Sequence, residues 1–361
     1  LTSTYRVRGD ENEAHVQRRL VTSFDPIRQR KSGFWADLQL HIVAQREFAR
    51  IVRDFKPDVV YAWNLAKLPE SLLHTIQHCG VPSACYIFDN WLTRLTARFG
   101  QRTVTDVALS ALMLRSACCF PDLACAQFAS RYLKLQAGKS GLACDQARVI
   151  HWGIDAGRYV RRDSRLLTGR ILYAGQLVQH KGVHTAIEAL AIVRARGGAG
   201  TTATLTIAGG NVVPEYLGAL KQMVSERGLS ECVMFKGHVE RTALQSLYAE
   251  HDILLFPSLW EEPFGIVLLE AMAAELAIVG TGTGGSSEIL KDAETGLIFR
   301  PGDAQACADK VMFLLNTPEE YNRIRQTARR VVESAFALSR TIDVIEGELT
   351  ACVSAWKGRE K

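Results

Sequence analysis

The chain has 361 residues, of which 47% are hydrophobic and 22% are charged. This composition excludes a disordered or collagen-like protein, because enough apolar material is present to form a packed interior. No run approaches the roughly 18 apolar residues that a membrane-spanning helix needs. The net charge of +5 is uneven, since residues 1–165 carry 24 Lys and Arg against 15 Asp and Glu.

Nine cysteines are scattered along the chain without a C-x-x-C pair. An odd and unpaired set of this kind favours reduced thiols over a disulfide framework or a zinc site. We therefore expect a cytoplasmic protein without a structural metal.

Short β-rich runs alternate with helical patterns from residue 57 onward. In the first half the predicted strands are 57–62, 83–88, 122–126 and 147–151, and the predicted helices are 70–79, 106–118 and 129–137. This alternation predicts a parallel, doubly wound α/β sheet. Such a domain normally opens with a strand and a glycine-bearing turn, which this chain lacks. We therefore expect an opening βα unit of about 40–50 residues to be missing from the sequence.

A second alternating series follows residues 153–169, which lack apolar periodicity and are interpreted as a linker. Its predicted strands are 170–174, 203–208, 233–236, 252–256 and 277–280. Its predicted helices are 183–196, 214–227, 242–250, 265–274, 304–315, 319–333 and 339–356. We predict two Rossmann-like domains, 1–160 and 161–335, and a C-terminal helix, 336–361, that can pack back on the first domain. A ligand is expected where the carboxyl ends of the two sets of strands face each other.

The segment 257–274 carries the strongest chemical signal. Gly265 lets a ligand approach the backbone, and the amides of Gly265, Ile266 and Val267 at a helix start form an anion site. Glu270 stands alone in an apolar run that we expect to be buried. A buried carboxylate needs partners, which either ligand hydroxyls or a neighbouring backbone turn would supply.

Two further strand-to-helix turns extend this pattern. The turn after strand 170–174 carries Lys181, a cation that can meet a phosphate group. The turn at 282–288 adds the amides of Gly284 and Gly285. Lys181 alone would be read as a solvated lysine, so the inference depends on the combination of turns.

Together these segments resemble the retaining glycosyltransferases of family 4, which have the GT-B fold of two Rossmann-like domains facing across a cleft. The matching positions are Glu262 and Glu270 for the E-x7-E motif, 175–182 for the G-R-L…K-G loop, 284–288 for the G-G-x-x-E turn and 295–302 for the T-G-x-L…P-G stretch. The likeness covers nearly all of 57–335 and is strongest from 170 to 303. It indicates a bacterial member that lacks its N-terminal segment.

The resemblance implies transfer of a hexose-type sugar from a nucleotide diphosphate sugar to a glycan, lipid-linked or small-molecule acceptor. No metal or other cofactor is implied. Among catalytic residues, Glu262 would contact the donor sugar, Lys181 would neutralise the pyrophosphate, and Asp89 would touch the acceptor or donor sugar. A turn-capping role for Asp89 is at least as compatible with its position. The implied donor-binding residues are Gly175, Gln176, Phe264, Gly265, Ile266, Val267, Gly284 and Gly285, with Glu270 on the ribose hydroxyls.

The sequence departs from the family pattern at two positions of the second half. Gln176 stands where the family usually has Arg, so the pyrophosphate would lose one cation. Glu275 opens an E-L-A stretch in place of the usual G-x-P. A non-glycine residue with left-handed backbone there would cost about 1 kcal/mol.

Two other functions were weighed against a transferase. A weakened or inactive relative that acts as a nucleotide-sugar-binding scaffold is favoured by Gln176 and the incomplete first domain. The retained Glu262, Glu270 and Lys181 argue against it. An NAD-dependent dehydrogenase is disfavoured, because strand 203–208 is followed by G-G-N and not by G-x-G-x-x-G.

The basic first half suggests a partner surface. Five residues there could meet an anionic lipid surface, at the inner face of the plasma membrane, or an anionic glycan. They are Arg18, Arg19, Arg28, Arg30 and Lys31. A solvated face explains the same charges, and no nucleic-acid partner is expected.

Overall fold

The computed structural model describes residues 2–3, 18–20, 34–63, 65, 71–93, 123–160, 167–210 and 212–359. The chain forms two compact units, one of residues 1–150 with 344–361 and one of residues 151–343. In these ranges no helix is both long enough and apolar enough to cross a membrane. The predicted helix 106–118 lies outside the described residues, as do Arg28, Arg30, Lys31 and the side chains of Arg18 and Arg19.

The described residues of the first unit form two parallel sheets. One pairs β1 (Thr2–Ser3) with β2 (Arg18–Leu20), and the other has the order β3-β4-β5-β6. The strands of the larger sheet are β3 (Val60–Trp63), β4 (Ser83–Ile87), β5 (Ala126–Phe128) and β6 (Arg148–Val149). The described helices of this unit are α1 (Phe34–Phe55), α2 (Ser71–Gln77) and α3 (Arg131–Lys139).

Two features of the first unit differ from the sequence prediction. The predicted strand 122–126 is wrong, because the Ala126 amide donates to the Leu123 carbonyl (2.9 Å) and closes a turn there. The strand begins only at Ala126. The 22-residue helix α1, which buries Ala44 and Phe48 one turn apart, was not predicted.

The second unit contains a six-stranded parallel sheet of order β12-β11-β10-β7-β8-β9. Its strands are β7 (Arg170–Ala174), β8 (Thr204–Ala208), β9 (Val233–Gly237), β10 (Ile253–Phe256), β11 (Ala277–Gly280) and β12 (Leu297–Ile298). Its helices are α4 (Val183–Ala195), α5 (Pro214–Glu226), α6 (Arg241–Glu250), α7 (Ile266–Ala273), α8 (Ala304–Asn316) and α9 (Pro318–Ala335). The predicted strands of this half and its predicted helices up to residue 333 are confirmed within two residues at each end, and β12 is an addition. The last predicted helix, 339–356, continues to Arg359.

The last helix, α10 (Leu338–Arg359), begins in the second unit and continues into the first. Within the first unit, Glu348 of this helix lies 3.5 Å from the guanidinium of Arg148 on β6.

The core of the second unit determines where its loops emerge. Strands β10 and β11 are buried along their whole length, as expected for parallel strands covered by helices on both faces. Because β11, β10 and β7 are neighbours, the loops after their carboxyl ends leave from the same edge of the sheet. These loops carry most of the predicted site residues.

Candidate active site

Three loops meet at this edge of the second-unit sheet: 175–182 after β7, 257–265 after β10 and 281–288 after β11. The Leu259 amide donates to the His180 carbonyl (2.9 Å) and joins the first two loops. The Gly285 amide donates to the Glu262 carbonyl (2.6 Å) and joins the second to the third. The backbone therefore holds the predicted positions in one framework.

The side chains of Lys181 and Glu262 form an ion pair at the centre of this framework. Lys181 Nζ lies 2.7 Å and 2.8 Å from the two carboxylate oxygens of Glu262. Glu262 is only 4% exposed, and the Ser258 hydroxyl also donates to its Oε1 (2.6 Å). A carboxylate at this depth requires such partners, because its desolvation costs several kcal/mol. Two predicted catalytic residues, 81 positions apart, are thus brought into direct contact.

Glycines make this approach of the loops possible. Gly182, directly after Lys181, has a φ of +69°, and a Cβ there would lie 1.9 Å from the Pro257 carbonyl oxygen. Gly284 has a φ of +58°, and its Cβ would lie 2.6 Å from the Glu262 carbonyl oxygen. Any side chain at either position would force the loops apart.

The predicted anion site lies at the start of α7. Gly265 caps the helix with a φ of +105°, and Ile266 is its first residue. The first amides of a helix lack intrahelical partners and carry the positive end of its dipole, so those of Ile266 and Val267 suit a negatively charged group. Phe264 is buried beneath this turn, with its ring stacked on His151 at 5.7 Å between centroids.

Glu270 has tyrosine partners. The Tyr248 hydroxyl donates to Glu270 Oε2 (3.0 Å), and Tyr159 lies near enough that the carboxylate adds to the rise that burial causes in the pKa of its hydroxyl. The apolar run around Glu270 is buried as expected, while Glu270 itself is half-buried and reaches the surface. Burial still raises the pKa of Glu270, although the two tyrosines and the nearby Arg241 oppose that rise. Helical periodicity alone did not reveal either tyrosine as a site residue.

Gly175 and Gln176 lie at the exposed start of the loop after β7. The Gly175 amide donates to the Ala208 carbonyl (3.0 Å), and the carbonyl of Gln176 accepts from the Tyr173 hydroxyl (2.8 Å). The neutral Gln176 thus occupies an exposed position in the same loop as Lys181.

The glutamate of the G-G-x-x-E turn has a partner that the sequence did not reveal. Glu288 Oε2 lies 2.8 Å from His151 Nε2, at the first residue of the second unit. The same imidazole stacks on Phe264, so His151 connects the 284–288 turn to the start of α7.

Asp89 lies in the first unit, directly after β4. Its Oδ1 accepts a hydrogen bond from the Trp91 amide (2.8 Å), which is the geometry of a turn cap. Across the described part of the chain, no group of three His, Cys, Asp or Glu side chains could hold a metal ion.

Glu275 does adopt the left-handed backbone that the family's glycine would favour, with a φ of +59°. Its carboxylate is buried and forms an ion pair with Arg325, and Arg329 Nε lies 4.0 Å from its second oxygen. The departure from the family pattern therefore comes with a buried counter-charge.

Residues 167–331 match the family model described as "Glycosyl transferases group 1". This segment is a group 1 glycosyltransferase domain. It contains Lys181, Glu262, Glu270 and both glycine turns, so membership of group 1 is confirmed for the segment that carries the site. The match begins at the linker before β7 and ends within α9.

Curated relatives of the group 1 domain include two named transferases. The glycogen synthase of Mycobacterium tuberculosis is 38% identical over 198 residues, which are 54% of this chain and 46% of that protein. The alpha-D-kanosaminyltransferase of Streptomyces kanamyceticus is 30% identical over 178 residues, which are 49% of this chain and 44% of that protein. The chain therefore spans less than half the length of the curated relatives it matches.

Solved structures resemble most of the chain. Sucrose-phosphate synthase from Thermosynechococcus elongatus has a TM-score of 0.70 at 18% identity, covering 98% of this chain and 88% of that one. Anabaena HepE in complex with UDP and glucose has a TM-score of 0.67 at 18% identity, covering 88% and 83%. These likenesses and the larger parallel α/β sheet of each unit confirm the GT-B fold class.

Proposed function

We propose that the chain is a retaining glycosyltransferase that moves a hexose-type sugar from a nucleoside diphosphate sugar to a hydroxyl-bearing acceptor. The observation that carries the proposal is the ion pair between Lys181 and Glu262 inside a group 1 glycosyltransferase domain. A buried carboxylate and a cation are held in contact where the start of α7 offers its backbone amides.

The reaction breaks the bond between the anomeric carbon and the diphosphate and forms a bond from that carbon to the acceptor oxygen. The acceptor hydroxyl gives up its proton, and the bonding electrons leave with the nucleoside diphosphate. Negative charge therefore grows on the diphosphate, where Lys181 and the amides of Ile266 and Val267 would stabilise it. Glu262 would meet the sugar, whose anomeric carbon becomes more positive as the bond breaks.

The donor roles follow from the chemistry of each group. Gly284 adds a backbone amide beside Glu262, whereas the Gly285 amide already donates to the Glu262 carbonyl and holds the turn in place. Glu270 accepts hydrogen bonds that ribose hydroxyls can donate. HepE was solved with UDP and glucose, which makes a uridine nucleotide the first donor to test.

We further propose that the transfer is metal-independent and takes place in the cytoplasm, with a glycan, lipid-linked or small-molecule acceptor. Lys181 supplies a cation for the diphosphate, which in other sites a divalent metal provides. Contact with an anionic membrane stays a prediction from the basic first half.

A thermal-shift titration with UDP-, GDP- and ADP-glucose in the presence of EDTA tests the donor proposal. One of these should raise the melting temperature, because a ligand at a hundred times its Kd stabilises the folded state by about 2.7 kcal/mol. Lys181→Gln, which can still hydrogen-bond Glu262, should lose most of that rise. Lys221→Gln, at an exposed position on α5, is the matched control and should keep it.

The donor proposal would be contradicted if no nucleotide sugar stabilises the wild-type chain, or if both lysine variants respond alike. Retention has its own readout: proton NMR of the product should show the anomeric configuration of the donor sugar. An inverted product would overturn that part of the proposal.

A further inference from the structure

Tyr248 is positioned to control the carboxylate of Glu270. It lies on α6, its side chain is wholly buried, and its hydroxyl donates to Glu270 Oε2 at 3.0 Å. A Phe would fill nearly the same volume, whereas a buried hydroxyl is favourable only with a partner. The carboxylate is that partner.

Tyr159 approaches the same carboxylate from another segment. It caps the 3-10 turn Ala156–Arg158, and its ring centroid lies 6.2 Å from that of Tyr248. Burial, and after it the charge of Glu270, raise the pKa of its hydroxyl. Two elements distant in sequence therefore lie beside one carboxylate on α7.

The remaining capacity of the carboxylate indicates what a ligand must offer. An ionised carboxylate accepts about four hydrogen bonds and donates none. The Tyr248 hydroxyl uses one of these, and the half-buried side chain reaches the surface with others. A ligand group must therefore donate, and a vicinal diol supplies two donors at the spacing of one carboxylate.

We propose that Tyr248, supported by Tyr159, is a positioning residue that fixes the Glu270 carboxylate to receive the cis-diol of the donor ribose. This inference rests on the proposed function, which assigns Glu270 to the ribose. The tyrosines do not touch the nucleotide. They select one orientation of the carboxylate and thereby reduce the conformational freedom lost on binding.

The charges around Glu270 give the proposal a pH signature. The groups facing it are Tyr248, Tyr159 and the guanidinium of Arg241, all of which lower its pKa against the rise caused by burial. A protonated carboxyl loses acceptor sites and charge, so ribose-dependent affinity should fall as pH falls through the pKa of Glu270. Removing the Tyr248 hydroxyl raises this pKa further, and the loss should then begin at a higher pH.

Calorimetric titration with UDP and with 2′,3′-dideoxy-UDP between pH 5 and pH 8 tests the proposal. The terminal phosphate titrates near pH 6 in both nucleotides. The Kd of 2′,3′-dideoxy-UDP divided by the Kd of UDP therefore isolates the contribution of the ribose hydroxyls. Tyr248→Phe should reduce this ratio about five- to tenfold at pH 7, the effect of one hydrogen bond. The pH midpoint of the ratio should move upward. Tyr321→Phe, a buried tyrosine on α9, is the matched control and should change neither.

Two outcomes overturn the positioning role. If Tyr248→Phe weakens the binding of both nucleotides by the same factor, Tyr248 has only a general structural role. If Tyr248→Phe changes neither Kd, Tyr248 has no role in nucleotide binding. Glu270→Gln separates this from failure of the proposed function. If Glu270→Gln loses the ribose contribution while Tyr248→Phe does not, the proposal alone fails. If Glu270→Gln keeps it, the ribose assignment of Glu270 fails as well.

Discussion

At the scale of single residues, the site depends on contacts that sequence spacing does not encode. The motif predicted Lys181 and Glu262 as residue types, because a phosphate needs a cation and a sugar site needs a carboxylate. Their direct contact and the hydroxyl of Ser258 were not predictable, since the partners come from separate loops. Tyr248 looked like a core residue of an amphipathic helix, and only its hydroxyl distinguishes it from one.

Gly182 offers the sharpest residue-scale prediction. Gly182→Ala should lower the free energy of unfolding by more than about 2 kcal/mol, because the new Cβ meets the Pro257 carbonyl oxygen and the backbone is left-handed. The midpoint of urea unfolding, followed by circular dichroism, measures the change. Gly218→Ala on α5 is the matched control, with open space around its Cβ, and should stabilise by about 0.5–1 kcal/mol. A Gly182→Ala variant with the wild-type midpoint would contradict the close approach of Gly182 to the Pro257 carbonyl.

At the scale of elements, the connection from α7 to β11 shows how a local penalty is offset. Glu275 holds a left-handed backbone that costs about 1 kcal/mol relative to glycine. Its carboxylate is the counter-charge of Arg325, which is 1% exposed on α9. Removing one partner of a buried ion pair costs about 3–5 kcal/mol. The ion pair therefore outweighs the strain, and it ties the end of the site helix to α9.

Because leaving Arg325 unpaired costs more than the left-handed backbone of Glu275, we predict that Glu275→Gly destabilises the protein by about 2–4 kcal/mol. This loss is expected although the substitution restores the family's residue. The double variant Glu275→Gly with Arg325→Leu should recover most of the loss, because no unpaired charge stays buried. Urea midpoints of the wild type and these two variants measure both effects. A Glu275→Gly variant as stable as the wild type would show that loss of the ion pair costs no more than relief of the backbone strain gains.

Helices and strands of the second unit were predictable because each has one simple pattern. Buried parallel strands are short apolar runs, and the helices between them repeat with helical periodicity. The apolar pattern placed the start of β5 too early, because the residues from Leu123 to Ala126 resemble a strand but form a turn. It also missed α1, whose apolar positions are interspersed with many charged residues.

At the scale of the whole molecule, the sequence predicted two parallel α/β sheets, and the structure has them in two units. The motifs of the second unit were predictable because they consist of glycine turns, a helix start and fixed charges, which are features that suit phosphate recognition. The acceptor was not, because the first half of the sequence offers no motif comparable to these turns. The identity of the acceptor therefore has to come from activity measurements.

We propose above all that the Lys181–Glu262 site cleaves a nucleotide sugar. Its most direct test is the release of nucleoside diphosphate from the donor that gives the thermal shift, with Glu262→Gln beside its exposed neighbour Glu261→Gln as the matched control. We predict release by the wild type and by Glu261→Gln, and a rate at least about a hundredfold lower for Glu262→Gln with donor binding retained. Donor binding without release by the wild type would instead indicate a scaffold. Equal rates for the two glutamate variants would contradict the site.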